Sequence, residues 1–470
     1  MMRIGVGRSD LTPRVGVELA GFGAFINRHS VGVRDRLWAR AMAFEAGDGE
    51  PAVIVSNDLC VIYRETTERV CELVHEATGL PADRVMVTCT HTHSGPETGG
   101  LIGWGQPDPP YIELLPARIA AAAIAAVEDL RPATLAHARV PCEGIGVNRE
   151  YESPRPTLEE ALRDDWRPER PELTDTTAHV LLARDADGRM IGFVSSFGCH
   201  PVVCCAKSRW IHGDFCGVAT NLVEREHPGS VGLFLQGAQG DVNSCVVHEP
   251  EQESLLALDV IAGRYARCVR EGLRAAQTLE VDRVDVIRRA AQFSRRALNI
   301  DDFRELLAEQ EAVIQAPDAS DTDQQVRLAT VRVIAYRRFI DALNEGRPVV
   351  RPTVMQGIRL GPLGIYGAPF EMFQAIKNDV LEQAQAPIPL VLGVTNDSVS
   401  YAPDRETAAR GGYATDQVPL MQGTLPLANI HDELVEALLG LDAELFGGDS
   451  GDGGNRQQAT GNGDGDDGTP

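Results

Sequence analysis

The stretch Val85-Met-Val-Thr-Cys-Thr-His-Thr-His-Ser-Gly-Pro96 constrains this chain more than any other. Val85, Val87 and Cys89 alternate with Met86, Thr88 and Thr90, the period of two that marks a β-strand, and His91 and His93 continue the parity of Val85. Two imidazoles therefore leave one face of a strand. Ser94, Gly95 and Pro96 break the strand directly after them, so both histidines stand at its carboxyl end, where α/β sheets place ligands. Neutral imidazole is the commonest protein ligand for zinc, so the pair can converge on a metal. Two hydrogen-bonded, half-buried histidines satisfy the same motif.

The surrounding pattern alternates strands and helices. Residues 37–45 and 52–56 read as strands. A helix over 65–78 follows, with Val70, Leu73 and Val74 at helical spacing and Gly79 and Pro81 as its stop. Strand, helix and the His91 strand form a βαβ unit with parallel neighbours. Beyond a second helix (111–130) and a strand (133–140), residues 151–173 are proline- and charge-rich and read as a surface excursion. Residues 177–184 and 190–197 flank the turn Asp185-Ala-Asp-Gly188 as a hairpin whose second arm ends at Cys199-His200-Pro201. Asp214 suits the N-cap of a helix to 226, and the apolar strand 231–235 runs into the turn-rich Gln236-Gly-Ala-Gln-Gly-Asp-Val-Asn-Ser244. Helices over 301–316 and 324–344 form an amphipathic insertion at about 300–346. A hairpin of 355–360 with 363–366 delivers Glu371, and the strand 391–395 leads to Tyr401. The last helix is expected over 427–439.

This pattern predicts an α/β fold of mixed, largely parallel sheets flanked by helices, with the active site at strand C-terminal ends, over residues 1–446. Residues 447–470, rich in Gly, Asp, Asn and Gln without apolar periodicity, are expected to form a disordered acidic tail.

Composition narrows the partners. A net charge of −24, with Lys207 and Lys377 the only lysines, argues against nucleic acid and anionic membrane surfaces. An acidic, lysine-poor surface also suits a salt-rich cytoplasm, although an arginine-biased genome gives the same composition. No apolar run approaches the roughly 20 residues of a membrane span, the most apolar helix, around 117–127, being alanine-rich and too short. Stable membrane insertion is not expected. The N-terminus enters a strand without a signal-peptide pattern, which gives a cytoplasmic expectation. None of the ten cysteines forms a Cys-x-x-Cys pair, and Cys60, Cys71 and Cys89 occupy apolar positions where a free thiol packs. Cys204-Cys205 reads as packing, with reactivity as the alternative.

Taken in order, Gly5-Val-Gly-Arg-Ser-Asp10, Thr90-His-Thr-His-Ser-Gly-Pro96, Val147-Asn-Arg149, Phe197-Gly-Cys-His-Pro201, Gly213-Asp214, Gln239-Gly-Asp-Val-Asn243, Pro369-Phe-Glu-Met-Phe373 and residues 396–403 resemble the neutral, non-lysosomal ceramidases and their shorter relatives, from residue 5 to about 413. The resemblance implies Zn2+ held by His91, His200, Glu371 and Tyr401, with His93, Arg149 and Tyr413 facing a small-molecule or lipid-like N-acyl substrate. The activity it implies is hydrolysis of a non-peptide amide bond by metal-activated water. His93 would carry the proton to the leaving amine, while Arg149 and Tyr413 would hydrogen-bond the carbonyl oxygen. Asp214 is expected behind the ligands, fixing a histidine tautomer.

Each residue also has a plainer reading. His200 serves as a strand-end histidine bonded to backbone, Glu371 as a first-turn helix carboxylate, Tyr401 as a buried tyrosine, Arg149 as a surface ion pair and Asp214 as a cap. Two departures from the family pattern matter. Asn243 stands where the ceramidases carry a serine, which excludes an acyl-enzyme there but leaves a group able to bond an oxyanion or a water. By the same resemblance, the C-terminal β-rich domain of the full-size ceramidases is not expected in this chain. Ceramide and another N-acyl compound both stay open as substrates. A catalytically silent metal- or ligand-binding relative and a zinc esterase are the alternatives, and His93 with Arg149 favours turnover, since metal retention needs neither. The sequence gives no oligomeric state.

Overall fold

The computed structural model describes residues 2–152 and 155–449. Nine strands share its largest sheet: β1 (Met2–Asp10), β2 (Trp38–Ala46), β3 (Ala52–Asn57), β4 (Val85–Cys89), β5 (Arg131–Pro141), β6 (Thr177–Asp185), β7 (Met190–Phe197), β8 (Val231–Gln236) and β9 (Gln277–Leu279). Their spatial order is β8-β7-β6-β5-β1-β2-β3-β4, with β9 on β5. β3 and β4, joined by α1 (Arg64–Thr78), are parallel neighbours as the strand-helix-strand pattern predicts, and β7 and β8 are parallel as well. Every other pairing in this sheet is antiparallel. The expectation of largely parallel sheets is therefore corrected: the sheet is mixed, and antiparallel pairs dominate it. Short connections are one cause, because residues 47–51 between β2 and β3, and 186–189 between β6 and β7, can only reverse the chain.

Helices flank this sheet. α1 and α2 (Pro109–Glu128) share a core with β2, β3 and β4, and α3 (Asp214–Glu226) and α4 (Glu251–Ala275) share one with β5 to β8. Gly5 and Gly7 of β1 set how close α2 comes, since a Cβ on either would lie 2.1 Å from Ala126 O or 2.2 Å from Ala122 O. The helix has the length the sequence pattern indicates and begins two residues earlier. By length and composition alone it is the one described helix able to cross a membrane. Its Leu115, Ile119, Ala122 and Ala126 are buried in the core of the fold.

The two ends of the strand order come together. Ser56 Oγ on β3 donates to Phe234 O of β8 at 2.5 Å, and Gln236 Nε2 donates to Thr90 O, just past β4, at 3.0 Å. The sheet thus curls until the exits of β4, β7 and β8 share one region. Met42, Phe44, Met86, Val194 and Leu235 fill the core inside the curl with Ile358 and Leu360 from a second sheet.

That second sheet is built from β10 (Val284–Ala291), β11 (Thr353–Leu360), β12 (Leu363–Gly367) and, past the short β13 (Phe370–Met372), β14 (Ile388–Leu392). β13 pairs in parallel with β15 (Ser400–Ala402), which sets Glu371 directly beside Tyr401. The helical hairpin α5 (Ile300–Ile314) and α6 (Gln324–Asn344) starts its helices at the capping residues Asn299 and Asp323. Its Phe303, Tyr336 and Phe339 share a core with Phe373 and Tyr401, so the insertion braces the back of the β13–β15 pair. α7 (Gln374–Gln383) follows β13, and α8 (Ile430–Phe446) runs further than expected because Leu441, Leu445 and Phe446 continue its buried face. Gly447–Asp449 form a short 3-10 turn, and the rest of the expected acidic tail lies outside the described residues.

Candidate metal centre

His91 leaves β4 with φ at +69°, a left-handed backbone fixed by its N–H donating to Leu59 O at 2.9 Å. Its Nδ1 lies 2.7 Å from Cys60 O, a partner to which it can only donate, so the Nε2 lone pair points forward. His200, just past β7, repeats the arrangement with Nδ1 2.5 Å from Gln239 O and its own N–H donating to Val242 O at 2.8 Å. Both Nε2 atoms meet Glu371 Oε2, at 3.2 Å from His91 and 3.0 Å from His200. The Tyr401 hydroxyl lies 3.5 Å from His200 Nε2. Glu371 sits in β13, ahead of α7, so the reading of it as a first-turn helix carboxylate is set aside.

The other sequence-predicted groups take up positions around this cluster. His93 Nε2 lies 3.3 Å from His91 Nε2. A Cβ on Gly21 would fall 2.3 Å from His93 Nδ1, so the glycine-rich segment closes directly over that ring. The buried Arg28 donates to His93 O and, at 2.7 Å, to Ala20 O, and Phe22 lies edge-on to His93 at 5.1 Å between centroids. Arg149 is not a surface ion pair: Nη2 donates to Gly240 O at 2.6 Å, Nη1 to Asn243 Oδ1 at 3.3 Å, and the guanidinium carbon lies 5.2 Å from the Tyr401 ring centroid. Tyr413 packs 6.1 Å from Tyr401 and is 45% exposed, which places it at the mouth.

Asp214 is the exception. Its Oδ1 accepts the Phe215 N–H at 2.7 Å and its Oδ2 the Cys204 N–H at 3.3 Å, with no hydrogen bond to His91, His93 or His200. Its expected role behind the ligands is therefore corrected. Residue 214 is the first residue of α3, with Gly213 at the cap, and the left-handed φ of +53° turns its carboxylate toward the loop at Cys204.

The electrostatics follow from one carboxylate shared by two imidazoles. Burial alone would raise Glu371, but His91 and His200 outweigh it and hold the carboxyl well below its ordinary range. Burial alone would lower His91, but Glu371 outweighs it and lifts that imidazole well above its ordinary range. Burial holds His200 down to about 4, so one proton sits between His91 and Glu371 while His200 stays neutral. His93, disfavoured as a cation by burial and by His91 and His200, is neutral too. Three electron-pair donors aimed at one point need a cation, and a divalent ion fits the place that proton takes. The His91, His200 and Glu371 ligand atoms lie within 4.8 Å of one another, and imidazole, carboxylate and phenol make a nitrogen- and oxygen-rich set that suits zinc. Cys60 Sγ faces His91 Nδ1 at 3.9 Å, on the side of the ring away from Glu371.

Several residues that hold this geometry have no motif. Gln236 is fully buried, and its amide donates to Thr90 O and Cys199 O at 3.0 and 3.1 Å while accepting the Cys199 N–H at 3.2 Å, tying the His91 loop to the His200 loop. A polar residue ending the wholly apolar run 231–235 is the signal that marks it. Asn396 pairs with β4 as a strand would, N–H to Val87 O at 2.7 Å and Oδ1 from Val87 N–H at 2.9 Å. Asp241 accepts from Asn148 Nδ2 at 2.7 Å and from the Gln374 N–H at 2.8 Å, joining the Arg149 loop to the start of α7.

Comparison with known proteins bears on the family and the fold. Neutral ceramidase A of Dictyostelium discoideum is 27% identical over 263 residues, covering 51% of this chain and 35% of that protein. Neutral ceramidase B of the same organism is 28% identical over 262 residues with the same coverage. This chain thus spans about a third of these relatives' length. The neutral ceramidase of Pseudomonas aeruginosa is 34% identical over 98 residues, 20% of this chain and 14% of that protein. The crystal structure of a neutral ceramidase from P. aeruginosa superposes with a TM-score of 0.73 at 22% identity, covering 95% of this chain and 74% of that one, which shows a common fold. Residues 2–253 match the profile of the neutral/alkaline non-lysosomal ceramidase N-terminal region, and this chain therefore belongs to that family.

Proposed function

We propose that this chain is a zinc-dependent amidase that hydrolyses the non-peptide C–N bond of an N-acyl, ceramide-like substrate. The observation that carries the reading is the meeting of His91 Nε2 and His200 Nε2 on one Glu371 oxygen beside the Tyr401 hydroxyl. Family membership and the relatives named neutral ceramidase supply the substrate class.

His91, His200, Glu371 and Tyr401 would hold the ion. When bound, zinc supplies Lewis acidity and a nucleophile made from water near neutral pH. Cys60 O and Gln239 O keep both imidazoles in the ligating tautomer. Arg149, anchored at Gly240 O and Asn243, keeps donors beside Tyr401 for the oxygen on which charge gathers as the amide carbonyl is attacked. Asn243 accepts from Arg149 through Oδ1 and can donate through Nδ2, so it orients a group where a serine would react. His93, neutral and beside the ligands, takes a proton at Nε2 and returns it to the departing amine. The Tyr413 ring, exposed at the mouth, meets the acyl compound first.

The test is a screen of N-acyl sphingoid bases, N-acyl amino acids and matched esters, with and without chelator, on wild type, His91→Ala and His93→Ala. Turnover should vanish on chelation and return with zinc. His93→Ala should keep its metal and lose about 10²–10⁴-fold in kcat. Turnover indifferent to metal removal would sink the mechanism, and bound zinc with no hydrolysis of any acyl compound would make this a silent binding relative.

A further inference from the structure

Away from the Glu371 centre, Cys204, His212 and Asp214 converge, with ligand atoms within 4.8 Å of one another and all three side chains fully buried. Two of them, Asp214 and His212, show an unmet need. The Asp214 carboxylate takes backbone N–H groups from Phe215, Cys204 and Val203 and pairs with no cation among the described residues. The nearby Arg34 is committed to Asp35 and Asp259, at 2.5 Å each. Burial raises the Asp214 carboxyl to about 6, so near neutral pH it is still largely an uncompensated anion. His212 Nδ1 accepts the Asp214 N–H at 3.1 Å, and Nε2 has no partner. Burial holds that imidazole down to about 3, which keeps it in the neutral, ligating form. The Ser208 hydroxyl, also buried, lies beside the Cys204 sulfur and makes no other hydrogen bond.

We propose that Cys204, His212 and Asp214 bind a second zinc ion, structural in role, with the Ser208 hydroxyl or a water completing the set. A thiolate, a carboxylate and a neutral imidazole cancel the dication, so one ion answers the stranded carboxylate and the orphaned ring nitrogen together. Sulfur in the set selects zinc over magnesium or calcium. Binding releases the thiol proton to solvent. Ligation through Nε2 moves the ring proton to Nδ1 and breaks the hydrogen bond that Nδ1 accepts from the Asp214 N–H, ligation through Nδ1 displaces that N–H directly, and either route leaves the imidazole neutral. Zinc bonds of about 2.0–2.3 Å require the three side chains to close in by about an ångström. The brace reaches the Glu371 centre. Thr92 Oγ1 donates to His212 O at 3.0 Å, and the His212 N–H donates to Ser94 O at 3.2 Å, so the ion would stiffen the turn that carries His91 and His93.

Metal content and the spectrum of the cobalt-substituted protein test this without reference to activity. Wild type should carry two zinc equivalents per chain, Cys204→Ser one, and His91→Ala/His200→Ala one. Cobalt protein from wild type, Cys60→Ser and the double histidine variant should show a thiolate-to-cobalt charge-transfer band in the near ultraviolet, and Cys204→Ser should lose it. A wild-type cobalt protein without that band overturns the proposal and needs no variant to fold. So does a band that Cys60→Ser removes and Cys204→Ser keeps. A single equivalent that survives in the double histidine variant and disappears in Cys204→Ser would uphold this site and defeat the Glu371 centre instead.

Discussion

Glu97, four residues past His93, is buried, and its Oε1 accepts the Gly99 N–H at 2.7 Å. Burial, reinforced by Glu18 against the pull of backbone N–H groups, lifts its carboxyl from 4.5 to about 8. A folded value above the unfolded one means that the stability this group adds is complete below pH 4.5 and is lost as pH rises through about 8. The span sets an upper limit of about 5 kcal/mol. Glu97→Gln keeps an oxygen for the Gly99 N–H and cannot ionise, so its unfolding midpoint should fall less than that of wild type between about pH 5 and pH 8. Parallel pH profiles would show that Glu97 is not the group responsible. Arg149→Ala should lower kcat by about 10²–10³-fold with a smaller change in KM, as expected of a donor that works on developing charge. Arg149→Lys should recover little, because a point charge cannot span both Gly240 O and Asn243. A raised KM with kcat unchanged would recast Arg149 as a binding group. At this scale His91, His93 and His200 were legible, since strand parity and strand ends announce them. Gln236, Asn396 and Asp241 were not, because each is an ordinary polar residue until the partners across the fold are known. Asp214 misled for the same reason: its backbone turn, invisible in the sequence, sends the carboxylate elsewhere.

Among elements, β1 and α2 give the sharpest prediction. Gly7→Ala puts a methyl group 2.2 Å from Ala122 O, a backbone atom that cannot step aside without shifting the helix. A loss of at least about 2 kcal/mol follows, read as a lower denaturation midpoint. Gly263→Ala, inside α4 with nothing within 4 Å of its added carbon, should instead be neutral or stabilising by up to about 1 kcal/mol. If the two variants proved alike, the close approach of α2 to β1 would be wrong. Element type and order were legible, because periods of 2 and 3.6 are local. Strand partners were not: the βαβ rule found the β3–β4 pair, but the antiparallel majority and the curl joining β8 to β3 depend on packing between segments some 180 residues apart.

The whole molecule carries a net charge of −24, and most of its ion pairs, such as Arg163–Asp165 and Arg167–Glu143, are exposed and weak. Arg40 with Asp58 and Glu224 is a buried exception. Repulsion among the excess carboxylates should therefore outweigh surface pairing, and the unfolding midpoint should rise as salt is added. A midpoint unmoved by molar salt would remove the case for adaptation to a salt-rich interior.

The proposed chemistry turns on one zinc ion held among four side chains where the exits of β4 and β7 meet the β13–β15 pair. Anomalous diffraction from zinc-loaded crystals, recorded on both sides of the zinc absorption edge, tests it most directly. The expected result is a peak bonded to His91 Nε2, His200 Nε2, a Glu371 oxygen and the Tyr401 hydroxyl at about 2.0–2.2 Å. Zinc-loaded crystals with no anomalous density between His91 and Glu371 would contradict it.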